Sequence, residues 1–439
     1  MPLFFDQLFP VNAQAYPVST PTVVLTGLLA IIVVVTAAYG LRHLLFSLDR
    51  LFGRQRHPYL DVDEAAWPAL TVFIAAHNEE KVIAGCMDAI LAADYPADRL
   101  KIVPVNDRST DRTGEIIEEY RARYPGRINP FHRNGGTPGK SAALKDALSA
   151  ANGQIVAIFD ADYVPARGLL KQLAAPFFDP EVGAVMGRVV PANVSRNVLT
   201  RMLDLERSAG YQVDQQARMN LRLVPQFGGT VGGVRRIAMD AVGGWDASML
   251  TEDTDMTFRL LMQGWKTVYT NRSECHEEVP EEWPVRVRQV KRWARGHNQV
   301  LARYGLRFLA SPMVRARERI DGLLLLCVFV MPLALLAGWL LAVALYFLGA
   351  SQVLTAFIPL LALMAYSTLG NFAAFFEIVI AVFLDGNRNR IRLLPFTLLG
   401  FFVSMAAICM AVGSALGDRV SGRGLVWDKT LRYRAPAPS

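Results

Sequence analysis

Acidic residues stand at the ends of three apolar segments of this chain. Asp160 and Asp162 follow the run Ile155–Phe159. Carboxylates at i and i+2 where a strand ends can converge on one hard cation, which prefers carboxylate and phosphate oxygens. Two acids near a turn are common, but placed directly after a buried-strand pattern they gain weight. Asp107 ends a second run, LKIVPVND. Its carboxylate suits a hydrogen bond from a nucleobase or ribose. The competing role is a helix N-cap, for which Ser109 and Asp111 are better placed. Glu252 and Asp253 follow Thr251 and precede an amphipathic segment, Thr254–Gln263. Acids there also complement a helix N-terminus. As chemistry, Asp253, with Glu252 beside it, is a general base, since deprotonating an attacking hydroxyl needs a carboxylate within hydrogen-bond reach.

Three further features belong with these acids. Lys140 opens a helical segment, Ser141–Ala150, where the helix dipole disfavours a cation. Its placement points to a bound anion such as a diphosphate. Phe227–Gly233 is a glycine-rich loop that permits tight turns or close backbone approach to a ligand. Gln289, Arg292 and Trp293 lie in a basic stretch, Trp283–Arg319, with ten Lys or Arg and one acid, Glu318. Arg292 suits a leaving diphosphate. Trp293 suits either the stacking of a sugar face or a membrane-interface belt.

These residues must be held by a scaffold. ALTVFIAAHNEE reads as a buried strand ending in polar residues, and Lys81–Ala93 as a helix with Val82, Ile83, Cys86, Met87 and Ile90 on one face. The segments around Asp107 and Asp160 repeat strand, polar loop and helix. Such alternation predicts a mainly parallel sheet wrapped by helices. Ligands of these sheets bind beyond the strand C-terminal ends, where all three polar clusters fall.

The 439 residues are 52% hydrophobic and 19% charged, with a net charge of +7. Apolar and charged residues are therefore segregated, which excludes a simple soluble enzyme and a disordered chain. The basic stretch abuts an apolar segment, so it suits an anionic membrane surface better than a nucleic acid. Cys86, Cys275, Cys327 and Cys409 have no metal-site spacing and read as buried or membrane-facing thiols. Four stretches reach membrane length, Val23–Leu45, Gly322–Gly349, Leu354–Leu384 and Leu393–Leu416, each with about 20 or more largely apolar residues. The first is too long, and lacks the basic flank, for a cleaved signal peptide. Glu377, in the third, is expected to face protein, water or the interface. Residues 1–22 lack Lys and Arg, whereas Arg42, Arg50, Arg54 and Arg56 follow. The positive-inside rule then puts residues 47–319 in the cytoplasm of a plasma (inner) membrane protein. Counting spans places the C-terminal tail outside, while its Arg419, Arg423, Lys429, Arg432 and Arg434 argue for inside.

From about Leu70 to Tyr304 the chain resembles membrane-integrated family 2 glycosyltransferases, the group of cellulose, hyaluronan, chitin and poly-N-acetylglucosamine synthases. The signature is Asp107, Asp162 and Asp253 followed by Gln289, Arg292 and Trp293. Where that family often carries VDDGS, this chain has Asn106 and Arg108, and it lacks the FxVT gating motif of bacterial cellulose synthases. The tail from Trp427 to Arg432 is similar to endings of poly-N-acetylglucosamine-type relatives. The resemblance implies an α/β fold, a GT-A (Rossmann-like) catalytic domain with transmembrane helices. It implies inverting, metal-dependent β-transfer from UDP-glucose or UDP-N-acetylglucosamine. Ala76, Asn78, Glu79 and Asp107 would bind uridine, and Lys140 the diphosphate. Asp160 would hold nucleotide and metal, Asp162 the metal, Mg²⁺ or Mn²⁺. Asp253 would be the base. Gln289, Arg292 and Trp293 would line the acceptor and diphosphate site.

The domain division expected is an N-terminal span (1–46), the catalytic domain (47–282), a basic interfacial segment (283–319), C-terminal spans (320–417) and a basic tail (418–439). The leading functional expectation is processive synthesis and export of a polysaccharide, with a growing glycan, membrane lipids and a possible homo-oligomer or export partner. The alternatives are single transfer to a membrane lipid and a scaffold or transport protein with a non-catalytic nucleotide-sugar domain. Intact Asp160, Asp162 and Asp253 weigh against the last.

Overall fold

A computed structural model describes residues 19–57, 66–350 and 375–421. Its centre is an eight-stranded sheet in the order β3-β2-β1-β4-β7-β6-β8-β5. The strands are β1 (Leu70–Ala76), β2 (Leu100–Asp107), β3 (Phe131–Arg133), β4 (Ile155–Asp160), β5 (Val164–Pro165), β6 (Val182–Pro191), β7 (Gly232–Arg235) and β8 (Lys266–Glu277). β1 lies parallel to β2 and β4, and β2 parallel to β3. The sheet is mixed rather than mainly parallel, because β7 runs antiparallel to both β4 and β6. The chain passes from β6 through the helical segment Val198–Asn220 and the glycine-rich loop before it enters β7.

β1 reads as a continuous apolar run because both its faces are covered. Leu70, Val72, Ile74 and Ala76 pack with Ile83, Met87 and Ile90 on one side. Phe73 packs with Leu144, Ala147, Trp245 and Leu260 on the other. The three-layer order places the ends of β1, β2 and β4 on one edge, so Ala76, Asp107 and Asp160 open on the same side. The helices sit close to the sequence reading: Ile83–Leu91, Thr113–Arg123, Lys140–Ala147 and Glu252–Met262.

Among the described residues, two helices are long and apolar enough to cross a membrane, or three if a bent pair counts as one span. Thr20–Phe52 starts at Ser19, whose hydroxyl accepts from Thr22 N, with a proline in its first turn, as suits a helix start. It leaves Val23, Leu28, Ile31 and Val34 exposed. The second is Leu394–Ser421, whose apolar stretch, with the turn before it, covers Arg388–Ala415. The expected single span Gly322–Gly349 is instead two helices, Ala316–Leu326 and Met331–Phe347, bent by 69° at their break. Pro332 in the first turn of the second helix removes a backbone donor and suits a fresh helix start. Of Leu354–Leu384, only the short helix Phe375–Leu384 is described. The tail from Trp427 to Arg432 lies outside the described residues.

The apolar helices are tied to the sheet domain by buried ion pairs. Asp321 accepts from Arg42 Nε at 2.8 Å, Arg218 Nη1 at 2.8 Å and Val224 N at 3.2 Å. Glu377 is fully buried and lies 2.8 Å from His43 Nδ1, so it faces protein, as expected of an acid in an apolar segment.

Candidate active site

A cavity of about 600 Å³ opens over the ends of β1, β2 and β4. Its lining includes Ala76, Glu79, Asp107, Lys140, Asp160, Asp162, Glu252, Asp253, Gln289, Arg292 and Trp293. Of the twelve candidates, Asn78 alone is absent from that lining. Its φ of 54° is left-handed, and its Oδ1 accepts from Thr110 N at 2.7 Å, which locks the β1 loop to the β2 loop.

Asp107 is buried. Its Oδ1 accepts from Arg108 Nε at 2.8 Å and Arg133 Nη1 at 2.9 Å. Burial alone would raise its proton affinity, but the two guanidiniums hold the carboxyl below its usual range. Arg133, which also binds Asp146 and Thr137 O, was not singled out in the sequence, because β3 is three residues long and has no legible period.

Lys140 joins three motifs. Its Nζ lies 2.8 Å from Asp160 Oδ1, 3.2 Å from Glu252 Oε1 and 2.9 Å from Gly229 O. Burial alone would lower its proton affinity, and the two carboxylates raise it above the usual lysine range. Asp162 is 1% exposed, and its Oδ2 accepts from Glu278 N at 3.2 Å. The two carboxylates offer hard oxygen donors at one strand end, and a lysine cation already lies against one of them. This donor set fits Mg²⁺ or Mn²⁺. Another cluster, His43, Asp214 and Glu377, brings its ligand atoms within 4.8 Å of one another. There Arg42 lies 3.6 Å from Asp214, so the acidic charge is already matched.

Asp253 opens the Glu252–Met262 helix. Its Oδ1 accepts from Thr254 N at 2.7 Å. Burial within the cleft, followed by the adjacent Glu252 charge, raises its carboxyl to about 7, against the pull of the Thr254 N–H and Lys140. Such a carboxyl is poised to take a proton near neutrality.

The Trp283–Ala310 helix carries Gln289 and Trp293 one turn apart. Two guanidiniums lie over the Trp293 ring, Arg286 at 5.3 Å and Arg207 at 5.6 Å from its centroid. Arg207 Nε donates to Glu277 Oε1 at 2.5 Å, and Tyr163 donates to Glu277 Oε2 at 2.7 Å. Arg286 Nη1 donates to Gln289 Oε1 at 2.9 Å. The acidic end of β8, HEE, was the signal that could have drawn Glu277 and Glu278 into the site. Arg207 had none, because it reads as an ordinary charge on an amphipathic helix.

Two glycines set how closely these elements meet. Gly229 has φ +69°, and a Cβ there would lie 2.9 Å from Asp253 Cβ. A Cβ on Gly296 would lie 2.3 Å from Thr251 Cγ2. In a helix, Gly→Ala ordinarily stabilises by about 0.5–1 kcal/mol, whereas overpacking a tight contact costs roughly 1–3 kcal/mol. Thr251 is buried and β-branched, with little room to yield. Gly296→Ala is therefore expected to lower the melting temperature and the catalytic rate together. A stabilised, fully active variant would show that this contact is loose.

A family model described as glycosyltransferase-like family 2 matches residues 68–296. The chain is 35% identical over 256 residues to the probable glycosyltransferase YdaM of Bacillus subtilis, covering 58% of this chain and 60% of that one. It is 34% identical over 254 residues to a beta-monoglucosyldiacylglycerol synthase of Synechocystis sp., covering 58% and 53%. The matches thus span under two thirds of the length of these relatives. Among solved structures, a mannosyltransferase of Pyrobaculum calidifontis, in complex with GDP-Man and Mn²⁺, superposes with a TM-score of 0.57 at 20% identity. It covers 83% of this chain and 99% of that one. That likeness establishes the GT-A-like α/β fold.

Proposed function

The chain belongs to glycosyltransferase-like family 2, and we propose that it transfers a sugar from a UDP-linked donor to a hydroxyl of a membrane lipid. One observation carries the lipid acceptor. The cavity that holds Asp160, Asp162 and Asp253 is also lined by Tyr39, Arg42 and His43. These three lie on the Thr20–Phe52 helix, whose apolar face is exposed. An acceptor anchored beside that helix can present its headgroup to Asp253 without leaving the bilayer. The lipid synthase among the relatives agrees with this choice.

In this reading Ala76, Glu79 and Asp107 hold the nucleoside, Asn78 fixes the loop that carries them, and Lys140 holds the diphosphate. Asp160 and Asp162 would hold Mg²⁺ or Mn²⁺, which when bound neutralises charge on the departing diphosphate. Asp253 removes the acceptor proton as the hydroxyl oxygen attacks C1 from the face opposite the leaving group. Inversion gives a β-linkage from an α-linked donor. Glu252 keeps the proton affinity of Asp253 high, and Arg292 faces the diphosphate. Gln289 and Trp293 hold the acceptor, and the Arg207 and Arg286 guanidiniums fix the indole. Positive-inside charge placement supports a cytoplasmic catalytic domain in the plasma membrane, with the domain division given above.

A second reading, processive synthesis of a glycan, is favoured by the Gln289–Trp293 signature and by the two guanidiniums over the indole. Protein in nanodiscs containing diacylglycerol, supplied separately with UDP-glucose and UDP-N-acetylglucosamine and with Mg²⁺ or Mn²⁺, separates the two. The expected result is UDP release coupled to a lipid-soluble product one sugar heavier than its acceptor. A long, water-soluble polymer with no glycolipid would replace the lipid reading with the processive one.

A further inference from the structure

One turn beyond Trp293 on the same helix, His297 is buried, and its Nε2 lies 3.1 Å from the Thr254 hydroxyl. Thr254 follows Asp253 directly and is fully buried. Its hydroxyl has two other neighbours. Gln226 Nε2 donates to it at 3.0 Å, and Asp253 Oδ1 lies at 3.3 Å. A hydroxyl has one proton and two acceptor lone pairs. Gln226 fills one lone pair, and His297 decides the rest.

His297 Nδ1 is buried and has no hydrogen-bond partner among the described residues, and the imidazole packs edge-on to Phe329 at 5.0 Å. Burial holds the ring neutral, with its proton affinity lowered to about 4. A proton on Nδ1 would leave a buried donor unsatisfied, which is costlier than an unfilled acceptor. The proton therefore sits on Nε2 and is donated to Thr254. Both lone pairs of the hydroxyl are then filled, and its own proton is left for Asp253 Oδ1. With Thr254 N at 2.7 Å on that same oxygen, Oδ1 is fully engaged. No hydrogen bond from another described residue is made to Oδ2.

We propose that His297 is a positioning residue: protonated on Nε2, it turns the Thr254 hydroxyl onto Asp253 Oδ1 and leaves Oδ2 to take the acceptor proton. This rests on Asp253 being the base. Gly296, against Thr251, and His297, against Thr254, hold the two ends of the Thr251–Thr254 segment to one helix. The helix that carries Trp293 thereby also sets the aim of the base.

The test uses full-length protein in nanodiscs. His297→Phe keeps a ring and removes the donor, and its kcat is expected to fall roughly 10- to 100-fold with UDP affinity and donor KM unchanged. His297→Gln, whose amide nitrogen can reach the same place, recovers most of that loss. Thr254→Val shows the same loss, and combining it with His297→Phe adds nothing further. Unchanged kcat in His297→Phe, with Asp253→Asn inactive, overturns the proposal. So does a loss in His297→Phe that follows UDP affinity and thermal stability and is not recovered by Gln. If His297→Phe fails to fold, Thr254→Val decides between the same outcomes. Full activity in Asp253→Asn overturns the base assignment itself, whatever His297 does.

Discussion

Asp253→Asn is expected to leave UDP binding intact and to lower sugar transfer by about 10²–10⁴-fold, as for the loss of a general base. The asparagine still offers Oδ1 to Thr254 N, so the start of the Glu252–Met262 helix keeps its local bonds. What is lost is the carboxylate proposed to take the acceptor proton. The pair of measurements is UDP affinity by calorimetry and product formation by mass spectrometry. Retention of most transfer activity would move the base elsewhere in the cleft. A pH profile gives the same assignment independently. The base works ionised, and burial with the Glu252 charge raises its carboxyl to about 7. Wild-type transfer should therefore rise with pH through about 7 and fall roughly tenfold per unit well below it. Glu252→Gln removes the like charge while Lys140, still paired with Asp160, keeps its pull on Asp253, so the acid limb moves to lower pH. An acid limb that stays in place would mean that Glu252 does not set the proton affinity of Asp253.

Asp162→Asn is expected to fail differently. Asp162 is almost fully buried at the end of the β4 loop, and its Oδ2 accepts from Glu278 N. An amide oxygen can keep that bond, so the fold survives, but the charge that would balance a divalent cation is gone. Metal stabilisation of a leaving phosphate is worth several kcal/mol, so transfer falls about 10³-fold or more. Unlike Asp253→Asn, this variant also loses the metal-dependent part of UDP affinity. Wild-type protein should bind UDP more tightly with Mn²⁺ than with chelator, and Asp162→Asn should show little difference. A variant whose UDP affinity still rises with Mn²⁺ would remove Asp162 from the ligand set.

Much of the layout of the candidate site is legible in the chain itself. Apolar runs buried on both faces mark β1, β2 and β4, and the polar residues that stop each run are those at the open sheet edge. Twelve residues named from local pattern and resemblance came to one region, eleven of them lining one cavity. Helix starts were legible to within a few residues because caps and apolar period are local. The direction of β7 was not, since a short glycine-rich strand carries no sign of which neighbour it joins. The bend between Leu326 and Met331 was hidden inside an uninterrupted apolar run, because hydropathy reports burial from water and not helix direction.

The sequence by itself determined which groups are present and which strand end or helix start each occupies, because backbone pattern and side-chain period are set by near neighbours. Tertiary structure alone decided who meets whom. It put Lys140 against both Asp160 and Glu252, Arg133 on Asp107, and Arg207 and Arg286 over the Trp293 ring. It also joined His43 to Glu377 across 334 residues. Charge pairs of this kind depend on distance and on exclusion of water, and both are properties of the packed chain rather than of any segment of it.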